Sequence, residues 1–80
     1  MAAPLSVSAF WDPEAAVWVA ESDDVPGLVT EAGTMEELVA KLKVLIPELL
    51  EANGVLPPDG EDLEFRLTAS RQERAPRSAA

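Results

Sequence analysis

The chain has 80 residues, with no cysteine and no histidine, and its 15 acidic and 6 basic side chains give a formal net charge of −9. This length allows one domain with a small core, and the missing residue types exclude disulfides, thiolate metal sites and a histidine general base. An acidic chain repels phosphates, so direct binding of nucleic acid is not expected and basic protein partners are favoured.

Charge is unevenly distributed along the chain. All acidic residues except Glu73 precede residue 70, whereas three of the six basic residues, Arg71, Arg74 and Arg77, follow it. No apolar run approaches the ~20 residues of a membrane span. The N-terminus lacks the basic start and long apolar segment of a signal peptide. We therefore expect a soluble cytoplasmic protein that does not bind membranes.

The first two predicted strands form an antiparallel hairpin. Residues 5–11 and 16–22 are rich in Val, Phe and Trp, which favour strands, and the intervening Asp-Pro pair suits a tight turn. Phe10 and Trp11 are consecutive, so their side chains must point to opposite faces of the sheet. Because one helix covers only one face, at least one of Phe10, Trp11 and Trp18 should lie on the uncovered face as a candidate partner contact.

A Pro-Gly turn leads into a short third strand. Pro26 presets the backbone for a type II turn, and Gly27 allows the positive φ that the next position requires. The third strand is predicted over residues 28–31, and Gly33 closes it immediately before the helix.

The next segment has the periodicity and end signals of an amphipathic helix over residues 35–52. Thr34 and Glu37 form a capping box, in which the Thr34 hydroxyl accepts the Glu37 N–H and the Glu37 carboxylate accepts the Thr34 N–H. Pro47 lies inside the pattern and is expected to kink the helix or end its first part. Gly54 supplies the C-terminal stop.

Residues 62–69 alternate between apolar and polar side chains and predict a half-buried fourth strand. The predicted fold is therefore α+β, in the order β-β-β-α-β, with an antiparallel sheet and one covering helix in a single domain over residues 1–69. Residues 70–80 lack an apolar pattern and are expected to form a disordered tail.

Four carboxylates, Asp23, Asp24, Glu36 and Glu37, surround the Pro-Gly turn and the helix start. Converging carboxylates are the ligands of two-metal nucleases. Each of these acids also has a local explanation in a turn or a cap, and no basic residue nearby would hold a phosphate. We therefore predict no catalytic residue, no metal and no cofactor, and assign Asp23 and Asp24 to the candidate partner contacts.

The helix lysines are expected on its solvated face. Glu37 and Lys41 are spaced to form a favourable pair one turn apart. Lys43 lies near Pro47 and is the last candidate for a contact with a partner.

The stretch WVAESDDVPGLVTEAGTMEELVAKL, from Trp18 to Leu42, resembles the HicB-like antitoxin domain. The resemblance covers residues 5–69, and within it the chain looks especially like a small bacterial family of unknown function related to HicB. It implies a partial RNase H-like fold and a domain that binds HicA, a small basic mRNA-cleaving toxin. Many HicB proteins add a C-terminal DNA-binding domain, and none is expected in the short segment after the last predicted strand.

Three functions remain open at the level of sequence. The first is a non-catalytic, antitoxin-type module whose acidic surface binds a small basic protein. The second is a metal-dependent nuclease of RNase H-like fold that uses Asp23, Asp24 and either Glu36 or Glu37. The third is a stand-alone homo-oligomer, paired through its open sheet face or an edge strand.

Overall fold

The computed structural model describes residues 4–77, which form four strands and one helix in the order β-β-β-α-β. The strands are β1 (Leu5–Asp12), β2 (Val17–Glu21), β3 (Val29–Ala32) and β4 (Phe65–Ser70), and helix α1 spans Met35–Ala52. The predicted α+β class and element order are confirmed. Within residues 4–77, no helix is long and apolar enough to cross a membrane.

The four strands form one sheet in the order β3-β2-β1-β4. β2 pairs antiparallel with both β1 and β3, as expected for consecutive short strands. β4 pairs parallel with β1, so the predicted antiparallel sheet is wrong for this strand and the sheet is mixed. The reason is that α1 carries the chain across the sheet between β3 and β4, and such a crossover joins strands that run in the same direction. β4 is therefore parallel to β3 and also to β1.

The core lies between α1 and one face of the sheet. The helix contributes large side chains that are fully buried, namely Leu38, Leu42, Ile46 and Leu50. The strands oppose them with smaller residues, including the cross-strand pair of Ala9 and Ala20. These small side chains let the helix approach the sheet closely, and the turn residues Val25 and Leu28 complete the buried core.

The helix begins at its predicted cap. Gly33 and Thr34 connect β3 to α1, and the Thr34 hydroxyl accepts a hydrogen bond from the Glu37 N–H at 3.1 Å. The reciprocal bond from the Thr34 N–H to the Glu37 carboxylate is absent from this described segment, so only half of the predicted capping box forms. The Glu37 carboxylate remains in water, because the residue is exposed and nothing displaces solvent from it.

The helix spans the predicted 35–52 and continues through Pro47, so its first part does not end there, while the alternative of a kink at this residue stays a prediction. Proline removes one N–H donor, but Ile46 and Leu50 on either side of it are buried in the core and hold both turns against the sheet. The predicted stop is confirmed. Gly54 has a φ of +70°, and its N–H donates to the Glu51 carbonyl at 3.0 Å.

The predicted Pro-Gly turn also forms. The Leu28 N–H donates to the Val25 carbonyl at 3.1 Å across Pro26, and Gly27 has a φ of +79°. This geometry matches a type II turn, in which the third position requires a positive φ. Leu28 is buried at the end of this turn, and β3 therefore begins one residue later than predicted.

The C-terminal segment differs from the predicted division between domain and tail. β4 begins three residues later than expected and includes Ser70, which was assigned to the tail. The next residue, Arg71, lies over the ring of Trp11, with its guanidinium carbon 4.2 Å from the ring centroid. From there to residue 77 the chain is exposed and irregular, and the last part of the predicted tail, 78–80, lies outside the described residues.

Candidate protein-binding surface

The sheet face that points away from α1 is covered by no described element. Val7 and Ala9 are buried under the helix, so alternation along β1 places Phe10 on the opposite side. The strand registers place further apolar residues beside it. We call the surface formed by these residues and their acidic neighbours the open face, and its apolar members are Phe10, Val17, Val19 and Val29.

The apolar residues of the open face occur on all three antiparallel strands and alternate with carboxylates on β2 and β3. Phe10 stands directly opposite Val19 in the β1–β2 ladder, and Val19 is followed across the next ladder by Glu31. Phe10 is 43% exposed and Val29 is 72% exposed, so both remain accessible. Exposed apolar residues gathered on one sheet face are typical of sites that contact other proteins.

Three carboxylates border these apolar residues. The registers place Asp12 opposite Val17, Glu21 opposite Val29 and Glu31 opposite Val19. Asp12 also accepts hydrogen bonds from two N–H groups in the following turn, whereas the residues Glu21 and Glu31 are exposed. The only base on this face among the described strand residues is Arg66, opposite Ser6 on the far side of β1. The part of the face around Phe10 is therefore negatively charged.

The three aromatic candidates separate onto the two faces of the sheet. Phe10 lies on the open face, which agrees with the expectation of at least one uncovered aromatic residue. Trp11 and Trp18 lie on the helix side, where their rings meet edge to face at a centroid distance of 5.4 Å. Arg71 covers this pair, at 4.2 Å from the Trp11 ring and 5.9 Å from the Trp18 ring. The tryptophans are thus engaged with each other and with the chain end.

The two candidate aspartates also have different surroundings. The Asp24 carboxylate accepts the Ser6 N–H at 2.7 Å, and the Asp24 N–H donates to the Ser22 hydroxyl at 3.0 Å. That hydroxyl in turn donates to the Ser6 carbonyl. Asp24 therefore ties the loop after β2 to the start of β1. Asp23 is exposed and lines a hollow of about 480 Å³ that continues towards Glu21 on the open face.

The structure does not gather the predicted acids into a metal centre. Glu36 and Glu37 lie in the first turn of α1, where their charge suits the helix dipole. Over residues 4–77, no group of three or more acidic side chains is placed to hold a metal ion.

The two lysines on the helix lie away from the open face. Lys41 donates to the Glu31 carbonyl on β3 and does not form the predicted ion pair with Glu37 within the described residues. Lys43 is exposed beside Pro47, on a hollow of about 530 Å³ between the helix and the loop before β4. The predicted partner contacts therefore do not form a single surface.

Sequence reasoning missed most of the open face. It selected Phe10 but not the neighbours that complete the surface, Val19, Glu21, Val29 and Glu31. A signal was available, because the register of a tight hairpin, counted outwards from the Asp-Pro turn, pairs Phe10 with Val19. The position of Glu31 required the second ladder as well, which depends on where the type II turn ends.

Comparison with known proteins places the chain in a family but attaches no activity to it. The family model described as a domain of unknown function, DUF1902, matches residues 4–78, so the chain belongs to this family. It is similar to the crystal structure of a hypothetical protein from the extremely thermophilic bacterium Thermus thermophilus. That protein is 55% identical in sequence, with a TM-score of 0.68, over 91% of this chain and 97% of its own. No curated protein gave a significant match.

Proposed function

We propose that this member of the DUF1902 family is a non-catalytic binding module that takes a small basic protein on its open face. One observation carries the proposal. Phe10 is 43% exposed on a sheet face that no described element covers, and the strand registers place Asp12, Glu21 and Glu31 on the same face. An accessible apolar centre with a charged border is the usual composition of a protein interface.

The apolar centre would supply affinity. Complete burial of a large apolar side chain contributes roughly 1.5–3 kcal/mol relative to full exposure, and binding would gain the fraction that is still exposed, 43% for Phe10 and 72% for Val29. Both residues project from paired strands, so the backbone beneath them is already ordered and little entropy is lost on binding. Aromatic anchors on rigid elements are typical of interface hot spots.

The acidic border would supply partner choice and association rate. Glu21 and Glu31 are exposed, and both lie beside the apolar residues. Complementary charge accelerates encounter with a basic protein and discriminates against acidic ones. The same charges disfavour contact with a nucleic-acid backbone.

The resemblance of residues 18–42 to the HicB-like antitoxin domain supports a specific class of partner. HicB-like domains bind HicA, a small basic mRNA-cleaving toxin, and the partial RNase H-like fold belongs to the same proposal. In this function the open face would bind the basic surface of such a toxin and block it. The proposal requires no metal, cofactor or catalytic residue in this chain.

The test is titration of a catalytically inactive HicA-like protein into the purified chain, followed by calorimetry at low and moderate ionic strength. Glu21→Lys/Glu31→Lys should weaken binding by at least about tenfold, because two attractive contacts become repulsive. The matched control is Glu48→Lys/Glu51→Lys, which changes net charge equally on the exposed side of α1. This control should retain most of the affinity.

A second pair of variants separates the apolar contribution from the charge. Phe10→Ala should accelerate dissociation and leave association almost unchanged, whereas Val55→Ala, at a residue that is 54% exposed after the helix, should change neither rate. Absence of binding by the unmodified chain at low ionic strength would contradict the proposal. Equal losses in both double charge variants would move the binding site away from the open face.

A further inference from the structure

The two edges of the sheet are protected to different degrees. β3 forms one edge, has four residues, and has the Glu31 carbonyl occupied by the Lys41 ammonium group. β4 forms the other edge, has six residues, and its outer side pairs with no other strand in residues 4–77. It contains neither lysine nor proline, two residues that commonly block edge pairing.

The segments on either side of β4 carry opposite charges. The loop before it contains four exposed acids, Asp59, Glu61, Asp62 and Glu64. The segment after it contains the arginines Arg71, Arg74 and Arg77, together with one acid, Glu73. Arg71 is held over Trp11, while Arg74 and Arg77 extend beyond it and are exposed.

These flanks account for the extended outline of the molecule. The radius of gyration is 15.7 Å, compared with about 12 Å for a compact chain of this length. Residues 51–62 before β4 and 71–77 after it are exposed throughout, so both charged segments are accessible to solvent. The edge of β4 and the exposed segments on either side of it are therefore accessible to a second copy.

We propose that a second copy of this chain pairs antiparallel with β4 about a twofold axis, with Thr68 opposite Thr68, and forms one continuous sheet. This register brings Asp62 of each copy close to Arg74 of the other, and it directs the acidic loop that contains Asp59 towards the segment that contains Arg77. The symmetry forms each contact twice, so local attraction opposes the repulsion between two acidic bodies.

The helix side of β4 gives this pairing an apolar component. α1 packs over β2 and β3, which leaves Phe65 and Leu67 only half buried although they point towards the helix side. Leu63, just before the strand, is half buried as well. In a continuous sheet with both helices on the same side, this register places Leu67 of each copy opposite Ala69 of the other, and the two Leu67 side chains are diagonal neighbours across the twofold axis. Their burial would add to the backbone hydrogen bonds.

The test uses two charge-reversed chains whose defects cancel only in a mixed dimer. One carries Arg74→Glu/Arg77→Glu, and the other carries Asp59→Arg/Asp62→Arg. In homodimers of either chain every flanking contact joins like charges, whereas in the mixed dimer every contact joins opposite charges. Sedimentation velocity at low ionic strength measures the mass in each case, against 8.5 kDa for one chain.

The unmodified chain should sediment as a dimer, each variant alone should dissociate at least about tenfold more readily, and an equimolar mixture should regain the dimer. Circular dichroism of each variant confirms folding, and recovery in the mixture excludes misfolding as the cause of dissociation. A monomeric unmodified chain, variants that remain dimeric alone, or a mixture that remains monomeric would each overturn the proposal.

The result is separable from the open-face proposal. Glu21→Lys/Glu31→Lys alters β2 and β3 on the face opposite the helix and leaves β4 unchanged. That variant should therefore dimerise like the unmodified chain even when it no longer binds a basic protein. Loss of the dimer in it would instead show that two copies meet through the open face, and would overturn pairing through β4.

Discussion

The helix-covered face and the open face of the sheet are built from alternate residues of the same strands, yet the two faces differ in burial and charge. On the covered side, the strand residues beneath the helix are small, such as Ala20 at 0% exposed, whereas larger ones, such as Trp18 and Phe65, lie half buried against this core. On the open side, Phe10 and Val29 are large and accessible, and they lie among carboxylates. Large apolar strand residues therefore occur on both faces, but only on the open face do they lie among carboxylates.

This difference shows that a large apolar strand residue does not by itself identify the core in so small a fold, because such residues occur on both faces. Small strand residues favour packing under α1, because short side chains let the helix come close to the sheet without leaving gaps. Large apolar residues on the other face add little to the stability of the isolated chain, and carboxylates on that face keep it hydrated. The contrast is physically consistent if the open face acts in binding and the covered face in folding.

The largest expected effect tests this division directly. Leu42→Ala, at a residue that is 0% exposed under the helix, should lower the free energy of unfolding by about 2–5 kcal/mol through lost burial and a cavity. Val29→Ala, at a residue that is 72% exposed on the open face, should change it by about 0.5 kcal/mol or less. Urea denaturation followed by circular dichroism measures both. Comparable losses would mean that the open face also contributes to folding.

An intermediate effect is expected at the start of the covering helix. Thr34→Ala removes the hydroxyl that accepts the Glu37 N–H and should cost about 0.5–2 kcal/mol. Thr34→Ser keeps an acceptor and should recover most of the loss. Thermal unfolding of the three chains provides the measurement. Melting that is insensitive to both changes would show that the cap does not determine how well the helix covers the sheet.

The smallest effect is expected at the end of the hairpin, where Arg71 covers the tryptophan pair on the helix side. Arg71→Ala should destabilise the fold by about 0.5–1 kcal/mol, because an exposed cation over an aromatic ring is a weak contact. It should also change the tryptophan fluorescence. Arg74→Ala, which removes a charge without a ring contact in the described structure, is the control. Identical spectra for both variants would place Arg71 away from the rings.

Much of the fold could be predicted because its signals are local. The helix bounds followed from Thr34, Gly54 and the apolar spacing between them, and the type II turn followed from Pro26 and Gly27. The opposite orientations of Phe10 and Trp11 followed from strand geometry alone. Each of these features depends on contacts within a few residues, which a single sequence displays directly.

The candidate surface was less predictable because it combines three strands. Phe10 was identified, but its neighbours Val19 and Glu31 depend on two strand registers that must both be correct. Asp24 is a candidate partner contact from its sequence position, but its bond to the Ser6 N–H, eighteen residues earlier in the chain, is visible only in the structure. Such a contact has no local signal.

The sequence by itself determined the elements, the caps and turns between them, and the acidic character of the surface, because backbone propensity and charge are properties of neighbouring residues. Only the tertiary structure decided that β4 enters parallel to β1, that α1 continues through Pro47, and that Arg71 covers the tryptophan pair. These outcomes depend on the direction in which the helix returns the chain across the sheet and on the packing beneath it. Chain direction and packing are both set by contacts between segments that are distant in the sequence, so neighbouring residues alone do not determine them.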